Sequence, residues 1–160
     1  MEYLRQLFEA LGFSNVETFI ASGNVVFDSK SKNTKALEKK IENCLQETLG
    51  YRVVTFIRST VELAEIVDYK PFDVGSLEEE GTTLYVAFLS DRPIDKAKQK
   101  LLSFKTATDE FHVAGREVYW LARKKFSESA FSGALLEKTL GMPATLRNST
   151  TVRKIAAKYS

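Results

Sequence analysis

Two β-hairpin patterns, one in each half of the chain, limit the fold more than any other feature of the sequence. The first is VETFIASGNVVF at residues 16–27, where Ser22, Gly23 and Asn24 interrupt alternating apolar residues. The second is DEFHVAGREVYWLA at residues 109–122. Alternation with a period of two is typical of strands with one buried face, and a Gly-Asn pair provides the positive φ angles of a tight turn. Both halves are therefore predicted to contain antiparallel β-structure.

Helical patterns flank these hairpins. Apolar residues recur at helical spacing in residues 4–11 and 34–49, and a glycine ends each run. After the first helix, Gly12 is predicted to adopt a left-handed conformation, with Phe13 folding back onto the last turn. An apolar strand is predicted at residues 52–58. The remaining predictions are a short helix from Ser59 or Thr60, a strand at 82–89, a helix after Pro93, a helix at 132–140 and a final helix at about 150–158.

The order of these elements predicts an α+β fold of two ferredoxin-like halves. Residues 1–74 are assigned to the first subdomain, residues 75–81 to a linker rich in glycine and glutamate, and residues 82–160 to the second subdomain. The second half has the order βαββα plus a helix, whereas the first half has no opening strand. Because that strand would be central, its neighbours would keep unpaired backbone groups. Self-association through this unpaired sheet is one expectation.

The composition excludes several classes of protein. The chain has 160 residues, of which 44% are hydrophobic and 28% charged, as in ordinary soluble globular proteins. No apolar run approaches the roughly 18 residues of a membrane span, and residues 1–3 do not begin a signal peptide, so a cytoplasmic protein without a membrane partner is predicted. Cys44 and His112 are each the only residue of their type, so no disulfide, metal site or cofactor is predicted.

Basic residues are concentrated in the last third of the chain. Residues 1–115 carry 14 Lys/Arg and 18 Asp/Glu, a net charge of −4, whereas residues 116–160 carry 9 and 3, a net charge of +6. The closing segment ATLRNSTTVRKIAAKY, residues 144–159, places hydroxyl groups and arginines at the start of a helix. Backbone N–H groups at a helix start can bind a phosphate or carboxylate. The anion-binding candidates are Arg147, Asn148, Ser149, Thr150, Thr151 and Arg153.

These candidates also have a purely structural interpretation. Asn148, Ser149 or Thr150 could simply cap the last helix, while Arg147 pairs with a surface carboxylate. The turn at residues 22–24 is a second candidate for a ligand-binding loop. Its glycine belongs to no phosphate-binding motif, so a hairpin turn is the favoured interpretation.

The chain shows no catalytic constellation. His112 lies between two apolar strand residues and is predicted to be exposed, without an acidic or nucleophilic neighbour in the sequence. Tyr119 and Trp120 point to opposite faces of one strand, and at least one of them is expected in the core. An RNA-binding surface needs several aromatic residues on one sheet face, so nucleic acid has only weak support as a partner.

Four segments of the sequence carry a family resemblance. They are LRQLFEALGFSNVETFIASGNVVFDS, TTLYVAFLS, DEFHVAGREVYWLA and ATLRNSTTVRKIA. In this order they resemble the bacterial family catalogued as domain of unknown function 1697. The resemblance implies an α+β domain of two ferredoxin-like parts, without an assigned activity.

The sequence departs from the family pattern in two places. Similar proteins open with a strand and a turn of the form RGINVGG, which this sequence lacks, followed by a methionine that corresponds to Met1. The family's closing pattern resembles T-x-R-N-W-x-T, and Ser149 stands where the tryptophan is expected. Thr145, Arg147, Asn148 and Thr151 match that pattern.

The main functional expectation is a small domain that binds an anionic, phosphate-bearing ligand through its basic C-terminal third. Two alternatives come from other classes. One is an enzyme with part of its site in an N-terminal segment before Met1, and the other is a structural or oligomerisation domain.

Overall fold

The computed structural model describes residues 2–19, 23–72, 80–123 and 132–159, which divide into two compact units, Met1–Ser59 and Thr60–Ser160. The helices of the described residues are α1 (Glu2–Ala10), α2 (Thr34–Leu49), α3 (Thr60–Asp68), α4 (Asp95–Leu102), α5 (Gly133–Leu140) and α6 (Ser149–Tyr159). The strands are β1 (Ser14–Phe19), β2 (Asn24–Asp28), β3 (Thr83–Leu89), β4 (Asp109–Ala114), β5 (Glu117–Ala122) and β6 (Ala144–Asn148). Helices together with antiparallel sheets confirm the predicted α+β class.

The first unit packs α1 and α2 against the β1–β2 hairpin. Its core contains Phe8, Phe13, Val16 and three apolar residues of α2. Gly12 has φ +95°, and the Phe13 N–H donates to the carbonyl of Phe8 at 3.4 Å, so α1 ends as predicted. The Phe13 ring then lies 4.4 Å from the ring of Phe27, measured between centroids. This aromatic contact joins the end of α1 to the hairpin.

The predicted turn belongs to this hairpin. Phe19 pairs with Asn24 in an antiparallel ladder, and Gly23 has φ +80°, which confirms the hairpin. Ser22 lies outside the described residues. Asn24 is the first residue of β2, where it pairs with the last residue of β1.

The strand predicted at residues 52–58 is wrong. In the described part of the first unit, the sheet consists of β1 and β2 alone. Instead, the N–H groups of Thr55 and Ile57 donate to the carboxylates of Glu42 and Glu38 on α2, at 2.7 and 2.8 Å. Side-chain acceptors therefore replace the neighbouring strand that a sheet would supply.

The second unit contains a four-stranded antiparallel sheet in the order β4-β5-β3-β6. Its elements follow one another as βαββαβ from β3 to β6. One face carries Ala87, Val118 and Trp120 and packs against α4 and α5. Since neighbouring residues of a strand point to opposite faces, Val86 and Tyr119 lie on the other face. That second face meets α3 and α6.

Strand β6 is absent from the sequence-based prediction, which assigned its residues to the approach of the last helix. Residues 144–148 pair with β3, from Leu89 opposite Ala144 to Tyr85 opposite Asn148. Helix α6 then begins at the very next residue. The polar segment is thus a sheet edge that runs directly into a helix.

The two units divide earlier in the chain than the predicted linker at residues 75–81. Helix α3 packs against α6, and the hydroxyl of Tyr119 donates to the carbonyl of Ile66 at 3.3 Å. These contacts place α3 in the second unit. Residues 75–79 of the predicted linker lie outside the described residues.

Candidate functional site

The junction between β6 and α6 fixes the polar residues of the closing segment. The Asn148 side-chain oxygen accepts a hydrogen bond from the Thr150 N–H at 2.9 Å. This bond satisfies one of the backbone donors that a helix leaves unpaired in its first turn. Of the capping residues considered from the sequence, the structure therefore shows Asn148 in this role.

Arg147 lies in β6 and is half-buried. It stands opposite Val86 in the sheet register, and its guanidinium donates to the Thr145 hydroxyl at 2.7 Å and to the Leu146 carbonyl at 2.9 Å. Burial lowers the pKa of this guanidinium from its ordinary value, because the charged form loses hydration. These local bonds orient Arg147 along its own strand.

A cavity of about 230 Å³ lies beside this junction, within the second unit. We call it the β3–α6 pocket. Its wall combines an apolar side, formed by Ile66, Leu84, Val86 and Val152, with the first turn of α6 and the segment that follows α3. Asn148, Ser149, Thr150 and Arg153 are part of the wall, whereas Arg147 and Thr151 are not. The structure thus brings four of the six anion-binding candidates together.

Two cations reach the pocket from different elements. Lys70 follows α3, and its ammonium donates to the carbonyl of Val67 at 2.9 Å. Arg153 lies one helical turn into α6, and its guanidinium donates to the Thr150 hydroxyl at 3.4 Å. Both side chains belong to exposed residues. Among the described residues that line the pocket, none carries a carboxylate.

Thr82 contributes an unusual polar group to the pocket wall. Its hydroxyl oxygen is buried and has no hydrogen-bond partner among the described residues. A buried hydroxyl without a partner costs about 1 to 3 kcal/mol. Such groups are uncommon in folded proteins.

Three rings meet behind the pocket on one sheet face. The hydroxyl of Tyr69, a wall residue, lies 2.5 Å from His112 Nε2, and the Tyr69 ring lies 5.2 Å from the ring of Tyr119. Burial, and secondarily the charge of Glu117 and the neighbouring Tyr69, raise the pKa of Tyr119 well above its ordinary value. Tyr119 is therefore a neutral donor at physiological pH, bonded to the backbone of α3.

A scan against protein families provides the identification. The family model described as "Protein of unknown function (DUF1697)" matches residues 1–119. The chain belongs to the DUF1697 family. This match ends before β6 and α6, so it includes the α3, β3 and β5 walls of the pocket and leaves out its α6 wall. None of the curated proteins matches the chain.

A solved structure shows the same fold as this DUF1697 chain. It is that of a conserved bacterial protein from Streptococcus pneumoniae, with a TM-score of 0.75 and 20% sequence identity. The likeness covers 99% of this chain and 87% of the other. At this level of identity, the comparison establishes the fold.

The described residues of this DUF1697 protein contain neither a metal-binding cluster nor a membrane-spanning helix. No group of three His, Cys, Asp or Glu residues there is arranged to hold a metal ion. No described helix has the length and apolarity needed to cross a membrane.

Three residues of the pocket region were not identified from the sequence. Tyr69 and Lys70 precede the segment that was predicted as a linker, and Thr82 begins the strand predicted after it; none of the three was among the candidate residues. His112 was predicted to be exposed, without an acidic or nucleophilic neighbour in the sequence, but it is partly buried and bonded to Tyr69. The partner lies 43 residues away in the sequence, so only the fold brings the two together.

Neither Tyr119 nor Trp120 offers an exposed ring. Tyr119 is 3% exposed and Trp120 is 1% exposed, and the indole N–H of Trp120 donates to the buried Asp109 at 2.9 Å. Stacking of nucleic-acid bases needs accessible aromatic faces. These two residues therefore have a structural role.

Proposed function

We propose that this DUF1697 protein binds a small anionic ligand in the β3–α6 pocket. The observation that carries the proposal is the charge of the wall, in which Lys70 and Arg153 approach from two elements and no described wall residue is acidic. A cytoplasmic location remains the prediction that accompanies it.

The start of α6 adds to the attraction of an anion. The first N–H groups of a helix and the positive end of its dipole both favour negative charge, by about 0.3 to 1 kcal/mol for an exposed group. The Thr150 N–H already donates to the Asn148 side chain. Ser149 and Thr150, whose side chains carry hydroxyls, are part of the pocket wall. A phosphate or carboxylate at this position would be held mainly by the arginine and these hydroxyls.

Titration calorimetry with inorganic phosphate tests the proposal through Arg153→Gln. Loss of one charge-assisted bond at an accessible site is expected to weaken phosphate binding about tenfold. Lys154→Gln is the matched control, because it removes the same charge from the next residue of α6 without touching the pocket wall. Its affinity is expected to stay within about twofold of the parent's, since an exposed charge outside a site contributes little.

A parent protein that binds neither phosphate nor small carboxylates would overturn the proposal. Equal weakening by Arg153→Gln and Lys154→Gln would also contradict it, because that result means attraction to the basic surface as a whole. The two alternatives, an enzyme with part of its site in an N-terminal segment and an oligomerisation domain, remain predictions.

A further inference from the structure

Tyr69 gives the β3–α6 pocket an aromatic wall that is open to solvent. The residue is 41% exposed, and it is part of the pocket wall. Large aromatic residues at the surface of a cavity are common features of ligand sites, because they provide much contact area for few rotatable bonds. The anion-binding function does not by itself need this ring.

The Tyr69 ring is held in place from several sides. Its hydroxyl is bonded to His112 Nε2 at 2.5 Å, and its backbone N–H donates to the Glu65 carbonyl at 3.0 Å. The rings of His112 and Tyr119 lie 5.4 and 5.2 Å from it. Because the side chain is already ordered, a ligand that stacks on it does not have to immobilise it, which ordinarily costs about 0.5 to 1.5 kcal/mol.

The rest of the wall divides into an apolar part and a charged part. Leu84, Val86 and Val152 form the apolar part, and the start of α6 with Arg153 forms the charged part. The volume of about 230 Å³ is below the roughly 300 to 1,000 Å³ of pockets for drug-sized ligands. A ligand that fits such a wall has one small apolar or planar body and one anionic group.

We propose that the pocket takes a single-ring aromatic anion, with its ring against Tyr69 and its phosphate or carboxylate at the start of α6. His112 is the positioning residue that fixes the Tyr69 ring. This inference rests on the proposed anion-binding function and adds the class of ligand to it. Inorganic phosphate, lacking a ring, engages only the charged part of the wall.

Titration calorimetry of the parent protein with matched ligands tests the inference. Phenyl phosphate is compared with methyl phosphate, and benzoate with acetate, so that each pair differs only in the ring. The aromatic member is expected to bind about tenfold more tightly, the range of an aromatic contact together with its buried area. The pair that binds more tightly identifies the anionic group as a phosphate or a carboxylate.

Variants then locate the ring contact. Tyr69→Ala is expected to remove the advantage of phenyl over methyl phosphate while the affinity for methyl phosphate stays within about twofold. Tyr69→Phe and His112→Phe keep an aromatic ring but break the Tyr69–His112 bond. Each variant is expected to bind phenyl phosphate about threefold more weakly than the parent. Tyr51→Ala, at an exposed tyrosine of the first unit, is the control and should change neither ligand.

The outcomes separate this inference from the proposed function. If the parent binds neither inorganic phosphate nor any of the four ligands, both are overturned. If it binds inorganic phosphate alone, the proposed function stands and the inference is overturned. If it binds methyl phosphate or acetate and the aromatic partner no more tightly, the proposed function stands and the inference is overturned. Equal loss of methyl and phenyl phosphate binding in Tyr69→Ala would also overturn the inference. Since the ligand comparison uses the parent alone, it decides the question even if a variant fails to fold.

Discussion

At the scale of single residues, Tyr119 shows how burial of one hydroxyl makes the stability of the folded protein depend on pH. Its pKa is raised in the folded protein, chiefly by burial, whereas in an unfolded chain a tyrosine titrates near about 10. The neutral form is therefore favoured by folding. The contribution of neutral Tyr119 to the free energy of unfolding is complete below about pH 10, and it is lost as the pH rises towards the folded-state pKa of Tyr119.

Tyr119→Phe tests this pH dependence. Between pH 7 and 9 the variant is expected to be less stable than the parent by about 0.5 to 1.5 kcal/mol, because the hydrogen bond to Ile66 is lost. Above about pH 10 the difference is expected to shrink, since the variant has no phenol to ionise. Urea unfolding from pH 7 to 11 measures both effects. A gap that stays constant across this range, or that closes equally in Tyr51→Phe, would contradict the prediction.

The sequence predicted which way several strand side chains point, but few of their hydrogen-bond partners. Alternation correctly directed His112 away from the face of Phe111, which is in the core. At least one of Tyr119 and Trp120 was expected in the core, and both are buried, at 3% and 1% exposure. The Tyr69–His112 bond joins positions 43 residues apart, which a local pattern does not encode.

At the scale of elements, residues 52–59 belong to no helix or strand, and hydrogen bonds to α2 hold this segment in place. Thr55 and Ile57 are two residues apart, so their N–H groups point to the same side of an extended chain. Two extended residues span about 6.6 Å and four helical residues about 6 Å. Glu38 and Glu42 are four residues apart on α2. Their spacing along the helix therefore matches the spacing of the two N–H groups from which their carboxylates accept hydrogen bonds.

Glu38→Ala tests this arrangement. The Ile57 N–H is expected to lose its acceptor, and the free energy of unfolding of the first unit to fall by about 1 to 3 kcal/mol. Amide hydrogen exchange at Ile57 should become faster, and urea unfolding measures the energy. Glu47→Ala changes an exposed glutamate on the same helix and is expected to stay within about 0.5 kcal/mol of the parent. Equal effects of the two changes would reject this function of Glu38.

The two incorrect strand assignments have one physical cause. The apolar run at 52–58 has the composition of a strand, but strand identity depends on a paired neighbour, and α2 supplies the acceptors instead. Conversely, residues 144–148 have polar positions typical of a helix start, yet pairing with β3 makes them a strand. Helices were predicted more reliably because their hydrogen bonds are local, as for α2 and α5.

At the scale of the whole molecule, the first unit offers an edge for association with a second copy. Among the described residues, β2 pairs with β1 on one side and has no strand partner on the other. The strand reads NVVFD, without the lysine or proline that usually protects an exposed edge. Antiparallel pairing of two copies about Val26 would place Asn24 opposite Asp28, with no like charges facing each other.

We propose on this basis that the protein forms a dimer through β2. Light scattering after size exclusion, over a range of concentrations, is expected to show a reversible dimer. Val26→Lys should weaken it about tenfold, because a lysine at the edge disfavours strand pairing. Val61→Lys introduces the same charge at an exposed valine in the second unit and should leave the dimer unchanged. A monomer at every concentration would exclude this association.

The direct junction of β6 and α6 has a consequence for how this protein can change during evolution. Helix α6 starts at the residue after β6, so no loop is present to absorb an inserted residue. One extra residue within the first turn would rotate the rest of the helix by about 100°. Arg153 would then leave the pocket wall while β6 kept its register with β3. Insertions and deletions should therefore be less tolerated at this junction than in loops, and relatives that share this pocket should keep the same residue spacing from β6 to Arg153.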